Sequence, residues 1–318
     1  MKPVFLMSPP RTDWHLKGRA NFRSQQAQAP DAARARKEWS TLAGAVVEAG
    51  GEVLVLPPHP QQALTGMIYT AEAGEFFQDA DGRWGVILPN MAGAHRQGEA
   101  PWIERFVTRS LGLPAVRIES TWEAQGDAIR AGQGLVVHTW GQGPYARTAR
   151  GAYQEVAQML SARHIQLKFD ADPWFHGNTF LNVYHHEGQR LVLVCPDALG
   201  PQGMSALVEA TDGAQVVEIS VEDSRAYDTN ALQVRDTVLA SATMSARTKD
   251  ALRAFGLEVV ELDLSELFLK GGGAPVCLTN RLWGMDPDAL PEGALWSKHP
   301  RIEHHEALGR ALWAQHNA

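Results

Sequence analysis

The order of elements constrains this chain more than any single residue does. Short β-branched runs at 4–7, 84–88, 135–137, 191–194 and 237–239 each lead, at varying distance, into a stretch with helical periodicity (31–49, 99–111, 146–162, 203–211 and 245–255). Each of these leads in turn to a second strand-like run, at 52–56, 115–118, 165–168, 215–218 and 258–262. Glycine follows several of the helical stretches (Gly50-Gly51, Gly112, Gly213, Gly256), where a left-handed terminating residue costs least. A strand–helix–strand unit cannot bury its own apolar face, so the five must pack around a shared core. What repeats is the order of elements, since identity between the units is weak. An open parallel sheet with alternating helices would read similarly, but no glycine-rich phosphate loop follows the first strand. No low-complexity linker interrupts the chain, so a single domain over 1–318 is expected.

Composition narrows the function classes. With 44% hydrophobic and 20% charged residues, the chain is globular rather than disordered. No uncharged apolar run approaches the roughly 18 residues a bilayer-spanning helix needs, so no membrane partner is expected. The start, MKPVFLMSPP, lacks the long apolar region of a signal peptide. Two cysteines exclude a disulfide scaffold and suit a reducing compartment. A net charge of −7 offers no basic stripe for nucleic acid. The expectation is a soluble cytoplasmic enzyme whose oligomeric state the sequence leaves open.

Five segments hold residues suited to chemistry. In the run 265–279, Gly271-Gly272-Gly273 allow close backbone approach just before Cys277, whose thiolate would be a nucleophile in an electropositive, partly open setting. Taken alone, a cysteine after glycines is more often structural than catalytic, and Cys195, at the end of an apolar run, reads as a buried strand residue. His176, within Trp174-Phe175-His176-Gly177-Asn178-Thr179-Phe180, suits proton exchange near neutrality, or equally a satisfied core position. Glu123 and Asp127 flank a glycine turn. Glu72 sits between small residues in 68–74. Arg147 is presented by the loop 141–148 ahead of a helix. His185-His186 and His304-His305 invite a metal reading, but sequence neighbours point apart in regular structure and no matched Cys/His spacing accompanies them. Gly132-Gln133-Gly134 lacks the third glycine of a dinucleotide fingerprint. Neither metal nor cofactor is expected. The stretch Glu303 to Trp313 reads as a surface helix.

Together these segments resemble the guanidino-group-modifying superfamily of amidinotransferases and dimethylarginine dimethylaminohydrolases. The matching pieces are 6–10, 69–74, 123–127, 143–148, 176–179, 230–232 and 266–279, in the family order and over nearly the whole chain. The resemblance implies the pentein fold, an α/β propeller of five pseudo-symmetric strand-and-helix units, in accord with the repeat count. It also implies Cys277 as nucleophile, His176 as general acid and base, and Glu123 as the carboxylate that orients the histidine. Asp127 would face the substrate, Glu72 and Asn178 would lie near the guanidinium, and Arg147 would hold a substrate carboxylate. Three departures stand out: the first leaves the split of roles between Glu123 and Asp127 open, and the other two leave the guanidino compound open. The acids at 123 and 127 are four apart, where many members space them by three. Gly66 stands where many members carry an aspartate, and Asn178 where deiminases carry an acid.

The chemistry suits these residues. A guanidinium carbon is a poor electrophile, and burying the cation costs several kcal/mol unless it is paired, which carboxylates do bidentately. A unit charge at about 4 Å with an effective dielectric near 20 is worth roughly 4 kcal/mol, about three pKa units, so the bound cation can itself generate the thiolate. The implied function is a cysteine hydrolase working through an amidino-thioether on Cys277. Alternatives are amidino transfer to an amine, or a non-catalytic binding protein of the same fold.

Overall fold

The computed structural model describes residues 1–18, 21–132, 134–142, 146–170 and 173–315. Its strands, in chain order, are β1 (Val4–Met7), β2 (Glu52–Val55), β3 (Glu75–Gln78), β4 (Trp84–Ile87), β5 (Ala115–Val116), β6 (Ala128–Arg130), β7 (Leu135–Gln142) and β8 (Arg163–Asp170). They continue with β9 (Leu181–His186), β10 (Gln189–Val194), β11 (Gln215–Glu218), β12 (Leu232–Val234), β13 (Thr237–Ser241), β14 (Glu258–Leu262) and β15 (Asn280–Leu282).

They form five three-stranded sheets of one pattern: β15-β1-β2, β3-β4-β5, β6-β7-β8, β9-β10-β11 and β12-β13-β14. In each, the middle strand runs antiparallel to the first-named and parallel to the last. A parallel pair needs a crossover, and a helix supplies it. The middle and last strands are the five strand–helix–strand units expected from sequence. The first-named strand of each sheet escaped that reading. These inner strands are short and carry residues such as Arg130, Gln233 and Arg281, which interrupt any apolar run. One joins its neighbour by a two-residue turn, Glu187-Gly188, with φ of +46° and +78° at the two positions, the geometry that matches strand twist.

The first sheet is assembled from both ends of the chain. Val4, Phe5 and Leu6 of β1 pair with Leu282, Arg281 and Asn280 of β15, which closes the ring. β1 is fully buried on both faces, as expected for a strand covered by helices. The helix Ala32–Glu48 packs Ala35, Trp39, Leu42, Ala43 and Val46 inward at helical spacing. Trp39 meets Trp296 edge to face at 5.1 Å. Asp31 caps the start of this helix by accepting from the Ala33 and Arg34 amides, and Gly50, at φ +85°, follows its end.

Three expectations need correction. The helix foreseen over 146–162 is confined to Ala152–Ala157. The backbone ahead of it is bound elsewhere, with the Ala149 amide donating to the Thr121 carbonyl at 2.9 Å and the Thr148 hydroxyl accepting from the Glu123 amide at 3.2 Å. The helix foreseen over 203–211 begins at Pro196 and kinks at Gly200. Cys195 is buried, but it lies one residue beyond β10 and precedes that helix rather than ending the strand. The terminal helix, Ile302–Ala314, buries Ile302, His305, Gly309 and Leu312 on its inner side. Its His304 stacks on His299 at 3.9 Å, while His305 Nε2 meets the His299 carbonyl at 2.9 Å. Among the described residues, no cluster of three His, Cys, Asp or Glu is arranged to hold a metal, and no helix is long and apolar enough to cross a membrane.

Candidate active site

Each of the five units delivers its chemistry from the same place, the turn just before its inner strand. Thr70–Glu72, Ala124–Gly126, Gly177–Thr179 and Asp228–Asn230 are 3-10 turns leading into β3, β6, β9 and β12. A fifth turn, tied by the Leu278 amide to the Ala274 carbonyl, leads into β15. These turns carry Glu72, the pair Glu123 and Asp127, the pair His176 and Asn178, Asn230 and Cys277. The five-fold ring brings together residues up to 205 positions apart.

His176 is wholly buried between acids. Its Nε2 donates to Glu123 Oε2 at 2.8 Å, and its Nδ1 lies 3.5 Å from Glu72 Oε1. Asp127 turns Oδ1 to the Gly177 amide at 2.9 Å and to the Thr139 hydroxyl at 2.6 Å. The four-residue spacing of the two acids is absorbed at Ala124, which takes a left-handed φ of +48°. Burial alone would neutralise the imidazole, but the Glu123 hydrogen bond and the charges of Asp127 and Glu72 raise its pKa. Burial likewise opposes ionisation of Glu123, and the His176 bond with the nearby Arg147 charge outweighs it, holding Glu123 well below the usual carboxylate range. Asp127 goes the other way: burial raises it despite His176 and Thr139.

Cys277 is 2% exposed. Its amide donates to Asn230 Oδ1 at 3.0 Å, its carbonyl accepts from the Ala71 amide at 3.1 Å, and its Sγ faces Asn178 Oδ1 at 3.8 Å. Asn230 also donates to the Asn178 carbonyl at 3.0 Å, so one side chain ties the cysteine turn to the histidine turn. Burial, followed by the negative charge of Glu72, pushes the Cys277 thiol up to about 12. The three glycines before it serve a close approach, as expected, though to protein: a Cβ at Gly271 or Gly273 would collide with Tyr69.

Cys277, Glu72, Arg96, Arg147 and Phe175 line one cavity of about 560 Å³, roofed by residues 14–17. Trp14 anchors that roof by donating from Nε1 to the Thr65 carbonyl at 2.9 Å. Arg147 sits 4.7 Å from the centre of the Phe175 ring and 3.6 Å from Glu123 Oε2. Residues 143–145, part of the segment that pointed to Arg147, and Gln133 lie outside the described residues. His176 Nδ1, Asp127 Oδ2 and Asn178 Nδ2 are buried without a hydrogen-bond partner among the described residues. Buried polar atoms are normally satisfied, but none of these three residues lines that cavity, and Asn178 lines a second one behind it.

Two residues escaped the sequence reading. Arg96 is buried with Glu72 and Glu99: it bonds Glu72 Oε2 and chelates Glu99 from Nε at 3.0 Å and Nη2 at 2.7 Å. Burial works against the Arg96 charge, yet the two carboxylates raise its pKa well above the ordinary value. The second is Glu99 itself, raised by burial against the Arg96 attraction. A signal was present in the bare Gly66: a Cβ there would collide with Arg96 Nε and Glu99 Oε1.

Comparison with known proteins agrees with this geometry. A Caenorhabditis elegans protein, uncharacterized protein ZK1307.1, is 24% identical over 278 residues, covering 87% of this chain and 92% of its own. The N(G),N(G)-dimethylarginine dimethylaminohydrolase of Mycobacterium tuberculosis is 29% identical over 246 residues, covering 77% and 74%. Among solved structures, the product-bound N-terminal domain of ArgZ, a cyanobacterial arginine dihydrolase, matches with a TM-score of 0.78 at 22% identity, covering 92% of this chain and 100% of that one. A DDAH from Pseudomonas aeruginosa complexed with citrulline matches at 0.64 and 21%, covering 88% and 99%. The fold is therefore the five-bladed pentein propeller. The family model for N,N dimethylarginine dimethylhydrolase, eukaryotic, matches residues 15–283. That span takes in every turn of the site, and the chain belongs to this family.

Proposed function

We propose that this chain, as one catalytic domain, is a cysteine hydrolase of the guanidino group of an arginine-like compound, of the dimethylargininase or deiminase type. The observation that carries the reading is a buried thiol pushed up to about 12 and a buried imidazole whose pKa its flanking acids raise, both beside Glu72. Such a site is poised for a cation. Glu72 and Asp127 receive the substrate guanidinium, Asp127 through its unpartnered Oδ2. Arg147 holds a substrate carboxylate at the cavity wall.

Binding activates the sulfur in two ways. The substrate charge at about 4 Å lowers the thiol by about three pKa units, and it screens Glu72, which otherwise raises that thiol. The thiol proton is lost to solvent as the cation binds, and the Cys277 thiolate then attacks the guanidinium carbon. As the C–N bond breaks, protonated His176 delivers its proton to the departing amine, leaving a cationic amidino-thioether. Neutral His176 next takes a proton from water as the water oxygen bonds to the same carbon. The C–S bond breaks, releasing a ureido product and restoring the thiolate. Glu123 holds the imidazole and favours its cationic form, and Asn178 faces the sulfur.

The test is a screen of arginine, methylated arginines, agmatine and shorter guanidino acids, with colorimetric detection of ureido product. Turnover by the wild type, lost in Cys277→Ser without loss of fold, supports the reading. A product that shifts to a new guanidine on addition of glycine replaces hydrolysis with amidino transfer. Turnover unchanged in Cys277→Ser overturns the role of Cys277, and no turnover of any compound overturns the proposal in favour of a binding protein.

A further inference from the structure

Behind the catalytic turns, the inner strands enclose a second cavity of about 650 Å³. Asn178, Val276 and Thr279 form part of its wall, so it backs directly onto the cysteine turn. It continues into a wider outer basin, and Arg130, Gln233, Arg281 and Trp283 line both. The charged side chains lining the inner cavity, Arg130 and Arg281, are both basic. Arg281, on β15, is only partly exposed, and its guanidinium has neither an ion pair nor a hydrogen bond among the described residues. Its ring neighbours are Trp283, with 3.9 Å to the centroid, and Phe5 at 5.9 Å.

The nearby groups deepen the imbalance. Arg130 lies 5.7 Å from the same Trp283 ring. The carboxylate of Glu75 is already committed, to Arg130 at 2.6 and 3.0 Å and to Gln125 at 2.6 Å. His185 has a buried Nε2 with no partner. Arg190 spends its donors on the Ala131 and Asp212 carbonyls rather than on an acid. The acids of the basin, Glu187 and Asp236, are exposed, and Asp236 meets His186 at 3.2 Å. Burial and the repulsion of Arg130 push Arg281 down to about 10.

A half-buried arginine with no acid beside it carries an uncompensated charge, and its planar fork matches a carboxylate or phosphate bidentately. We infer that this rear cavity is a binding site for a small oxyanion, with Arg281 as its anchor and Trp283 as the plate on which the guanidinium rests. The Nη1 of Arg130, which makes no bond to Glu75, is within the same lining to take a remaining oxygen. The ligand class is the reverse of the cationic substrate, and the site is distinct from the catalytic cavity, with which it shares no lining residue.

The test is calorimetric titration of the full chain with inorganic phosphate and, separately, with succinate, at constant ionic strength. The expected result is saturable binding of one or the other at one per chain, unchanged in Cys277→Ser and weakened at least about tenfold in Arg281→Met, or about 1.4 kcal/mol. Whichever anion binds identifies the phosphate or carboxylate source. In the wild type, the bound anion should also shield Arg281 from phenylglyoxal, read on its peptide by mass spectrometry, which keeps the test decisive if Arg281→Met does not fold. Absence of saturable binding for both anions, equal binding by Arg281→Met, or unshielded modification of Arg281 overturns the inference. None of these outcomes depends on turnover at Cys277.

Discussion

Gly66 and Arg96 compete for one volume: the arginine fills the space a side chain at 66 would need, and donates from Nη2 to the Gly66 carbonyl at 2.9 Å. The absence of a side chain at 66 is thus what allows a buried guanidinium to stand beside Glu72. Gly66→Ala should drive Arg96 and Glu99 apart. Overpacking of this kind costs about 1–3 kcal/mol, so urea unfolding should show a lower midpoint with an unchanged slope. A midpoint equal to wild type would show that the cluster yields without cost.

Arg96 neutralises part of a buried acidic pair, and its loss leaves Glu72 and Glu99 facing each other. Arg96→Met should destabilise by about 3–5 kcal/mol, the usual penalty for stripping one partner from a buried ion pair. Arg96→Met combined with Glu99→Gln should recover part of that loss. The double-mutant cycle measures the coupling, and strict additivity would contradict the contact.

The thiol of Cys277 should be slow toward neutral electrophiles in the free protein. Iodoacetamide labelling is expected to rise steadily through pH 10 without a plateau, because burial and Glu72 push the group up to about 12. Glu72→Gln removes a negative charge, lowers the thiol pKa and speeds labelling at a fixed alkaline pH. A labelling inflection near neutrality in the wild type would contradict this account.

Glu123 and His176 stabilise the fold over a limited pH window. Glu123 lies below its ordinary 4.5 when folded, so its contribution is present above 4.5 and is lost as pH falls through the lower folded value. His176 lies above its ordinary 6.5, so its contribution is complete below 6.5 and is lost as pH rises through the folded value. The stability difference between wild type and Glu123→Gln should therefore be largest between pH 4.5 and 6.5. A difference that grows steadily above neutrality would refute the pairing.

Much of the architecture was legible because each middle strand is apolar on both faces, which produces runs such as 191–194 that sequence periodicity detects. The inner strands were not, because they line cavities and carry polar residues, as Asn280-Arg281-Leu282 does. The expected site residues could be picked out as motifs because each occupies a turn with its own glycine or small neighbours. Asn230 sat in a matching segment without an assigned role, which only its two hydrogen bonds to the 277 and 178 turns supply. Arg96 had no local mark at all. Its meaning depends on Gly66, thirty residues earlier, and a missing side chain is a quiet signal.

The pairing of residues 4–6 with 280–282 sets a timetable as well as a shape. A contact across such a length of polymer forms late and slowly, since the intervening loop must be gathered first. During synthesis on the ribosome, β1 waits at an open edge while four blades are made. The sulfur three residues ahead of β15 comes under the shelter of Asn230 and the Tyr69 ring only when the circle shuts. A nascent or half-unfolded molecule would therefore leave that thiol exposed to oxidants, so handling this protein under reducing conditions should matter most during refolding.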